Sequence, residues 1–356
     1  MQPHTFPLTR IKKNKIPQRA NALALLKIAI SMGDPAGVGP ELALKALAHP
    51  EIQSICTPIL FGDAAVLESV AKKLDLVVPE TCIPYSEISG VGQQIKGAKS
   101  PVLLDFQLIN GTQFEPGVIN AATGNASFQY FDAAIAAAKL DLVDAIVTGP
   151  INKEAINLAG FRYPGHTEIL AERFSVDDVC MMLTSEDITC SIVTTHVGYR
   201  EVPDLLSVEN IHSTIQLSHE ALVKMRGRDV RLCCCGLNPH AGENGLFGNN
   251  EEASIIIPAI EKARSSGIQI DGPLPADTAF RAERRKVTDG YICMYHDQGL
   301  IPLKALAFDE AVNVSLGLPI VRTSVDHGTA CDIAWKGTAS VSSMLEAIRL
   351  AVKLAN

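Results

Sequence analysis

The stretch Leu25-Leu-Lys-Ile-Ala-Ile30, Ser31-Met-Gly33-Asp34-Pro35-Ala-Gly37-Val-Gly39-Pro40-Glu41, Leu42-Ala-Leu-Lys-Ala-Leu47 holds the fold in miniature. The apolar run that opens it reads as a buried strand. The glycine-rich segment is a turn, Pro40 suits a first helical turn, and residues 42–47 continue the helix. Strand, turn and helix make the first half of a βαβ unit. The spacing is not G-x-G-x-x-G, so the standard dinucleotide fingerprint is absent. The turn either offers N–H groups to an anion or needs glycine dihedrals for its own sake. The sequence leaves both readings open.

The alternation continues outward. Strand-like runs at 58–61, 101–106, 144–148 and 231–237 alternate with helical patterns at 64–74, 124–140, 208–225 and 250–265. Residues 180–184 and 189–196 read as a hairpin. The glycine-bearing segment 86–99 reads as loop, Pro275–Thr278 as a turn, and 340–355 as a closing amphipathic helix. This is an α/β chain, a mostly parallel sheet covered by helices on both faces. Sites in such folds lie beyond the carboxyl ends of strands. A length of 356 residues suits two domains or one large α/β unit.

Composition narrows the function classes. Net charge is −8, which provides no positive field for nucleic acid. No apolar run approaches a membrane span. Nine cysteines, an odd number without a C-x-x-C pair, and no signal-like opening suggest reduced thiols in the cytoplasm. Cys233, Cys234 and Cys235 look like small hydrophobes in a strand. Residues 1–25 are basic, free of acids and broken by prolines, as a loose N-terminal extension would be.

Candidate chemistry concentrates between Gly290 and Gly337. There an apolar run ends in His296-Asp297, and Lys304, Asn313 and Arg322 follow, each set in apolar sequence. Polar groups buried without partners are costly, so these are expected to meet one another or a ligand. His166 and Thr167 precede an amphipathic helix, where N–H groups and the dipole favour an anion. His196, His240 and His296 each follow a strand-like run. Were those strands parallel neighbours, the three imidazoles would share a sheet edge as a divalent-metal ligand set with an open position. His212 and His219 read as helix-surface residues, and His4 and His49 as peripheral.

Seven motifs, in order, carry a resemblance: Met32-Gly-Asp-Pro-Ala-Gly-Val-Gly-Pro-Glu41, Thr148-Gly-Pro-Ile-Asn-Lys153, Gly165-His-Thr-Glu168, Leu237-Asn-Pro-His-Ala-Gly-Glu243, Ala276-Asp-Thr278, Tyr295-His-Asp-Gln-Gly-Leu-Ile-Pro-Leu-Lys304 and Gly317-Leu-Pro-Ile-Val-Arg-Thr-Ser-Val-Asp-His-Gly-Thr-Ala330. Over roughly residues 26–356 the chain resembles the 4-hydroxythreonine-4-phosphate dehydrogenase family of pyridoxal phosphate biosynthesis. The resemblance implies an isocitrate/isopropylmalate dehydrogenase-like fold, a two-subdomain α/β/α architecture. The implied subdomains are residues 26–150 with 305–356, and residues 151–304, with a cleft between them. It implies a homodimer in which both chains contribute to each site, and an NAD- or NADP-dependent oxidation of 4-phosphooxy-L-threonine. The resulting β-keto acid loses carbon dioxide to give 3-amino-2-oxopropyl phosphate.

Carried to matching positions, the resemblance implies one divalent metal (zinc, cobalt or magnesium) on His196, His240 and His296. It implies substrate contacts from His166, Thr167, Lys304, Asn313 and Arg322. By likeness to isopropylmalate dehydrogenase, His327, Gly328, Thr329, Ala330 and Asp332 would cradle the adenosine half of the cofactor. Lys304, Asp277 and Asp297 are the candidates for proton transfer or for orienting a ligand histidine. Trp335 stands where the family usually has glycine. Rival expectations are a relative acting on threonate or erythronate phosphates or on a terephthalate dihydrodiol, and a metal hydrolase or acyl transferase on a related fold.

Overall fold

The computed structural model describes residues 25–308 and 310–356, so all but the last residue of the basic N-terminal extension lies outside it. Twelve strands are present among the described residues: β1 (Leu26–Ser31), β2 (Cys56–Gly62), β3 (Thr81–Pro84), β4 (Val102–Asp105), β5 (Ala145–Thr148), β6 (Cys180–Thr184), β7 (Thr189–Thr194), β8 (Arg231–Cys235), β9 (Gln269–Leu274), β10 (Gly290–Tyr295), β11 (Val312–Leu316) and β12 (Val321–Val325). They form one sheet in the order β3-β4-β2-β1-β5-β12-β11-β6-β7-β10-β8-β9. Pairing is parallel except where β11 meets β12 and β6, and where β6 meets β7. The expected α/β class, the predominantly parallel pairing and the 180–194 hairpin are all present.

Burial explains the strand sequences. β2, β5 and β6 are buried along their whole length, and their apolar runs are continuous rather than alternating because helices cover both faces. The closing helix, Ser342–Ala355, packs on β12, and Thr323 Oγ1 donates across to Ala347 O.

Several local expectations are corrected. Segment 86–99 contains a helix, Ile88–Gly97, because Val91 and Ile95 share a buried face that outweighs the glycines. Ala276–Ala279 is one helical turn rather than a simple turn. His212 is buried at 8% exposure instead of surface-lying.

The opening turn proves to be a knot between strand ends. Asp34 N donates to Pro150 O, Gly37 N to Asp34 O, Val38 N to Thr329 O, and Ala36 N to Asp34 Oδ1. Those N–H groups serve the chain itself, which favours the structural reading of the turn. A side chain at Gly37 would stand 2.7 Å from Thr329 O, so glycine is required by close approach.

Candidate active site

The most deeply buried charged group on the sheet, among the described residues, is Arg322, 2% exposed. It lies on β12 between β5 and β11, and side-chain alternation puts it on the same face as Thr148, Ser315 and Asn313. Its guanidinium donates to Thr148 Oγ1 (2.6 Å), Ser315 Oγ (3.0 Å) and Asn313 Oδ1 (3.3 Å), while Nε has no partner. All three acceptors are neutral, and among the described residues no carboxylate pairs with it. Burial pulls its pKa down to about 9, offset in part by Glu168. A buried cation held by neutral groups, with one N–H unspent, suits an anionic ligand with planar, bidentate acceptors.

His166 opens the helix His166–Phe174 beside this cation. Its ring stands edge-on to Phe131 at 4.8 Å, and its shielded Nε2 has no partner. Burial, then Arg322 and Lys153, holds its pKa well below the ordinary value, so the ring is neutral. The helix start also brings the N–H groups of its first turn, including that of the half-buried Thr167.

The three candidate metal ligands follow β7, β8 and β10, which are parallel neighbours: Tyr291 pairs with both Cys190 and Cys233. The shared sheet edge inferred from sequence is therefore present. His196 and His296 stand together, ring centroids 5.9 Å apart. His240 lies on a separate turn and is exposed, 65% by side chain. Among the described residues no three His, Cys, Asp or Glu side chains gather as a set that could hold a metal ion.

Each of these imidazoles nevertheless faces a carboxylate through Nδ1. His296 meets Asp297 Oδ1 at 2.7 Å, His240 meets Glu243 Oε2 at 2.6 Å, and His196 stands 4.0 Å from Glu168 Oε1. A carboxylate on Nδ1 fixes the tautomer and leaves the Nε2 lone pair free, the usual preparation of a metal ligand. The donor chemistry of all three residues fits a divalent ion. Tyr199 donates to Asp297, and this bond, with His296, keeps that carboxyl below its ordinary range.

The turn bearing His240 is strained. His240, Ala241, Gly242, Glu243 and Asn244 are all left-handed, with φ between 43° and 79°. Two buried acids hold its base. Glu252 Oε1 accepts from the N–H groups of Leu237 (2.9 Å) and Asn238 (2.8 Å), and Glu251 Oε2 accepts from Asn238 Nδ2 and Asn249 N. The helical turn with exposed Asp277 packs beside it.

Lys304 Nζ forms an ion pair with the largely buried Asp326 (3.0 Å), and burial raises the Asp326 pKa despite the lysine. His327, Gly328 and Asp332 are exposed, and nothing lies within 4 Å of a side chain built at Gly328. Thr329 is buried and Ala330 is left-handed, φ 43°. The loop is thus anchored at Thr329 and open at its surface.

Sequence reading missed Thr148 and Ser315 as partners of Arg322, and Glu168, Glu243 and Tyr199 as partners of the histidines or their carboxylates. Glu168 and Glu243 had a signal, since each closes a motif that begins with a site histidine or leads into one. Thr148 and Ser315 had none without the strand register.

Residues 54–351 match the family model described as pyridoxal phosphate biosynthetic protein PdxA. A putative D-threonate 4-phosphate dehydrogenase of Oceanobacillus iheyensis is 44% identical, over 92% of this chain and 97% of that protein. A 4-hydroxythreonine-4-phosphate dehydrogenase of Geobacter metallireducens is 42% identical, over 92% and 95%. Among solved structures, the 4-hydroxythreonine-4-phosphate dehydrogenase of Klebsiella pneumoniae superposes with a TM-score of 0.77 at 37% identity, covering 93% of this chain and all of that one. The match by sequence and the match by structure both run nearly end to end, and the chain belongs to the pyridoxal phosphate biosynthetic protein PdxA family.

Proposed function

We propose that the protein is an NAD- or NADP-dependent dehydrogenase that oxidises the secondary alcohol of 4-phosphooxy-L-threonine. The observation that carries this reading is Arg322, a buried guanidinium with neutral partners and a free N–H, flanked by a neutral His166. Its need for an anion is met by the substrate's phosphate or carboxylate, with Asn313, Thr167 and Lys304 as further contacts.

His196, His240 and His296 would hold one divalent ion, zinc, cobalt or magnesium, through Nε2. When bound, that ion would supply Lewis acidity towards the substrate hydroxyl and the ketone, and the dinucleotide would supply the hydride acceptor. The chain's own residues do the rest. Asp297 fixes the His296 ring, and Asp277, Asp297 and Lys304 are the groups offered for the alcohol proton. Positive charge on Arg322 and Lys304 stabilises the enolate left when the β-keto acid loses carbon dioxide. The loop 327–332 would take the adenosine half.

His196 and His296 are neighbours whereas His240 projects on an exposed turn, which supports a homodimer in which a second copy supplies His240. The cleft would lie between residues 26–150 with 305–356 and residues 151–304.

The putative D-threonate 4-phosphate dehydrogenase at 44% identity favours a second reading, oxidation of that phosphate ester. The two are separated by following dinucleotide reduction by metal-reconstituted protein with each substrate. Turnover of 4-phosphooxy-L-threonine is expected. Turnover of D-threonate 4-phosphate alone replaces the substrate. Reduction with neither contradicts the dehydrogenase reading.

A further inference from the structure

Trp335 is the only tryptophan in the chain, and it occupies a conformation that bulky residues avoid, φ 59°. Backbone strain at a large side chain persists only where surrounding contacts over-determine it. Here they do. The residue is 4% exposed, its Nε1–H donates to Pro35 O at 3.0 Å, and its ring stands edge-on to Phe114 with centroids 5.7 Å apart. A side chain built at Gly111 would come within 3.5 Å of its Cη2.

The indole therefore touches three segments at once: its own loop after β12, the turn after β1, and the loop after β4. The same segments are tied by backbone bonds, Val38 N to Thr329 O and Gly117 N to Ala36 O. The far side of Trp335 is tied as well. Gly337 N donates to the buried Glu41 Oε2, and Lys45 Nζ donates to the carbonyls of Gly337 and Ala339. His327, Gly328 and Asp332 are exposed, so the loop 327–332 is held from beneath, by these anchors and by Thr329, whose Oγ1 accepts from Asn152 Nδ2 at 3.5 Å.

We infer that Trp335 is a positioning residue for the dinucleotide, an indole latch that holds the 327–332 loop in its binding shape by pinning it to the turn at Pro35 and the loop at Phe114. The inference rests on the proposed placement of the dinucleotide at that loop. If the loop is held in the competent shape only part of the time, apparent affinity falls by that fraction.

The test uses the full-length protein and NADH. In the wild type, emission from the single tryptophan overlaps NADH absorption, so binding is read as energy transfer. Binding to Trp335→Phe and Trp335→Gly is read from NADH's own emission. Glycine accepts the left-handed backbone, so Trp335→Gly removes the latch without imposing new strain. The expected result is a Kd for NADH raised about tenfold or more in Trp335→Gly, with a smaller rise in Trp335→Phe, which keeps a ring but loses the bond to Pro35. The KM for the phosphorylated substrate stays unchanged. Wild-type affinity in both variants would overturn the latch, even if their melting temperature fell, because that outcome describes packing alone. Absence of NADH binding to the wild type would instead overturn the dinucleotide reading beneath it, and the latch with it.

Discussion

The Arg322 pocket and the His240 turn are both polar, yet one is buried in the sheet and the other stands exposed on a loop. Arg322 lies at the centre of the sheet, on a face set by the register of three strands, with acceptors from β5 and β11 and an imidazole beside it. His240 lies on an exposed left-handed turn, its Nδ1 held by Glu243, apart from the His196–His296 pair. The proposed anion end of the site is built by the core. The proposed metal end is prepared residue by residue. If, as proposed above, a second copy supplies His240, assembly is a condition for catalysis rather than an aid to stability.

The largest expected effect falls on the buried half. Arg322→Met removes the buried cation but keeps an apolar stem of similar reach. We expect kcat/KM to drop about a thousandfold, the scale for losing one partner of a buried charged contact. The melting temperature of the unliganded protein should hold or rise, because an uncompensated buried charge has been removed. Steady-state kinetics and calorimetry on the same sample check both. A fall in stability with activity retained would show that Arg322 is a structural group, and the contrast between the two regions would disappear.

The next effect falls on the exposed half. Asp297→Asn and Glu243→Gln each leave a ligand histidine in place and weaken its Nδ1 partner. Metal affinity, read by chelator competition, should fall about 10–100-fold in each. Substrate-anion affinity should not change. Wild-type metal affinity in both variants would mean that these carboxylates orient nothing.

The contrast also explains what could be read from sequence. The βαβ alternation, the hairpin at 180–194 and the histidines at strand ends were legible because burial imposes continuous apolar runs that stop where the site begins. The helix Ile88–Gly97 was hidden by its glycines, whose helix-breaking signal is local while the packing of Val91 and Ile95 is not. Thr148 and Ser315 were hidden for a sharper reason. They meet Arg322 only through strand register, at sequence separations of 174 and 7, and no spacing rule encodes that. The separation of His240 from the other two histidines was equally invisible. A shared sheet edge is a backbone property, and the left-handed turn that carries His240 away from the pair is held by Glu251 and Glu252, more than ten residues further on.

The smallest effect is a pH dependence. Burial beside Arg322 and Lys153 lowers the His166 pKa below the unfolded value of about 6.5. Between the two values the unfolded chain holds the extra proton, so acidification favours unfolding. The contribution of this group is therefore fully present above about pH 6.5 and is lost as pH falls towards the folded value. The slope is at most about 1.4 kcal/mol per pH unit. Melting curves from pH 7 to pH 5 should be flatter for His166→Gln than for the wild type. An unchanged slope would mean that His166 is solvated and free to protonate.

The most direct measurement mixes two inactive variants. His240→Ala and His296→Ala are each expected to lose dinucleotide reduction with 4-phosphooxy-L-threonine. When equal amounts are unfolded together, refolded and metal-loaded, a mixed dimer regains one intact site if His240 comes from the opposite chain. Random assortment then restores about a quarter of wild-type activity, as two-fold symmetry requires. Mixing His296→Ala with Arg322→Met should restore nothing, since both lesions lie in the same chain's half of the site. Recovery in the first mixture and none in the second is the result predicted by a divided site. No recovery in the first mixture, from variants that remain dimeric, would place all three histidines in one chain and contradict it.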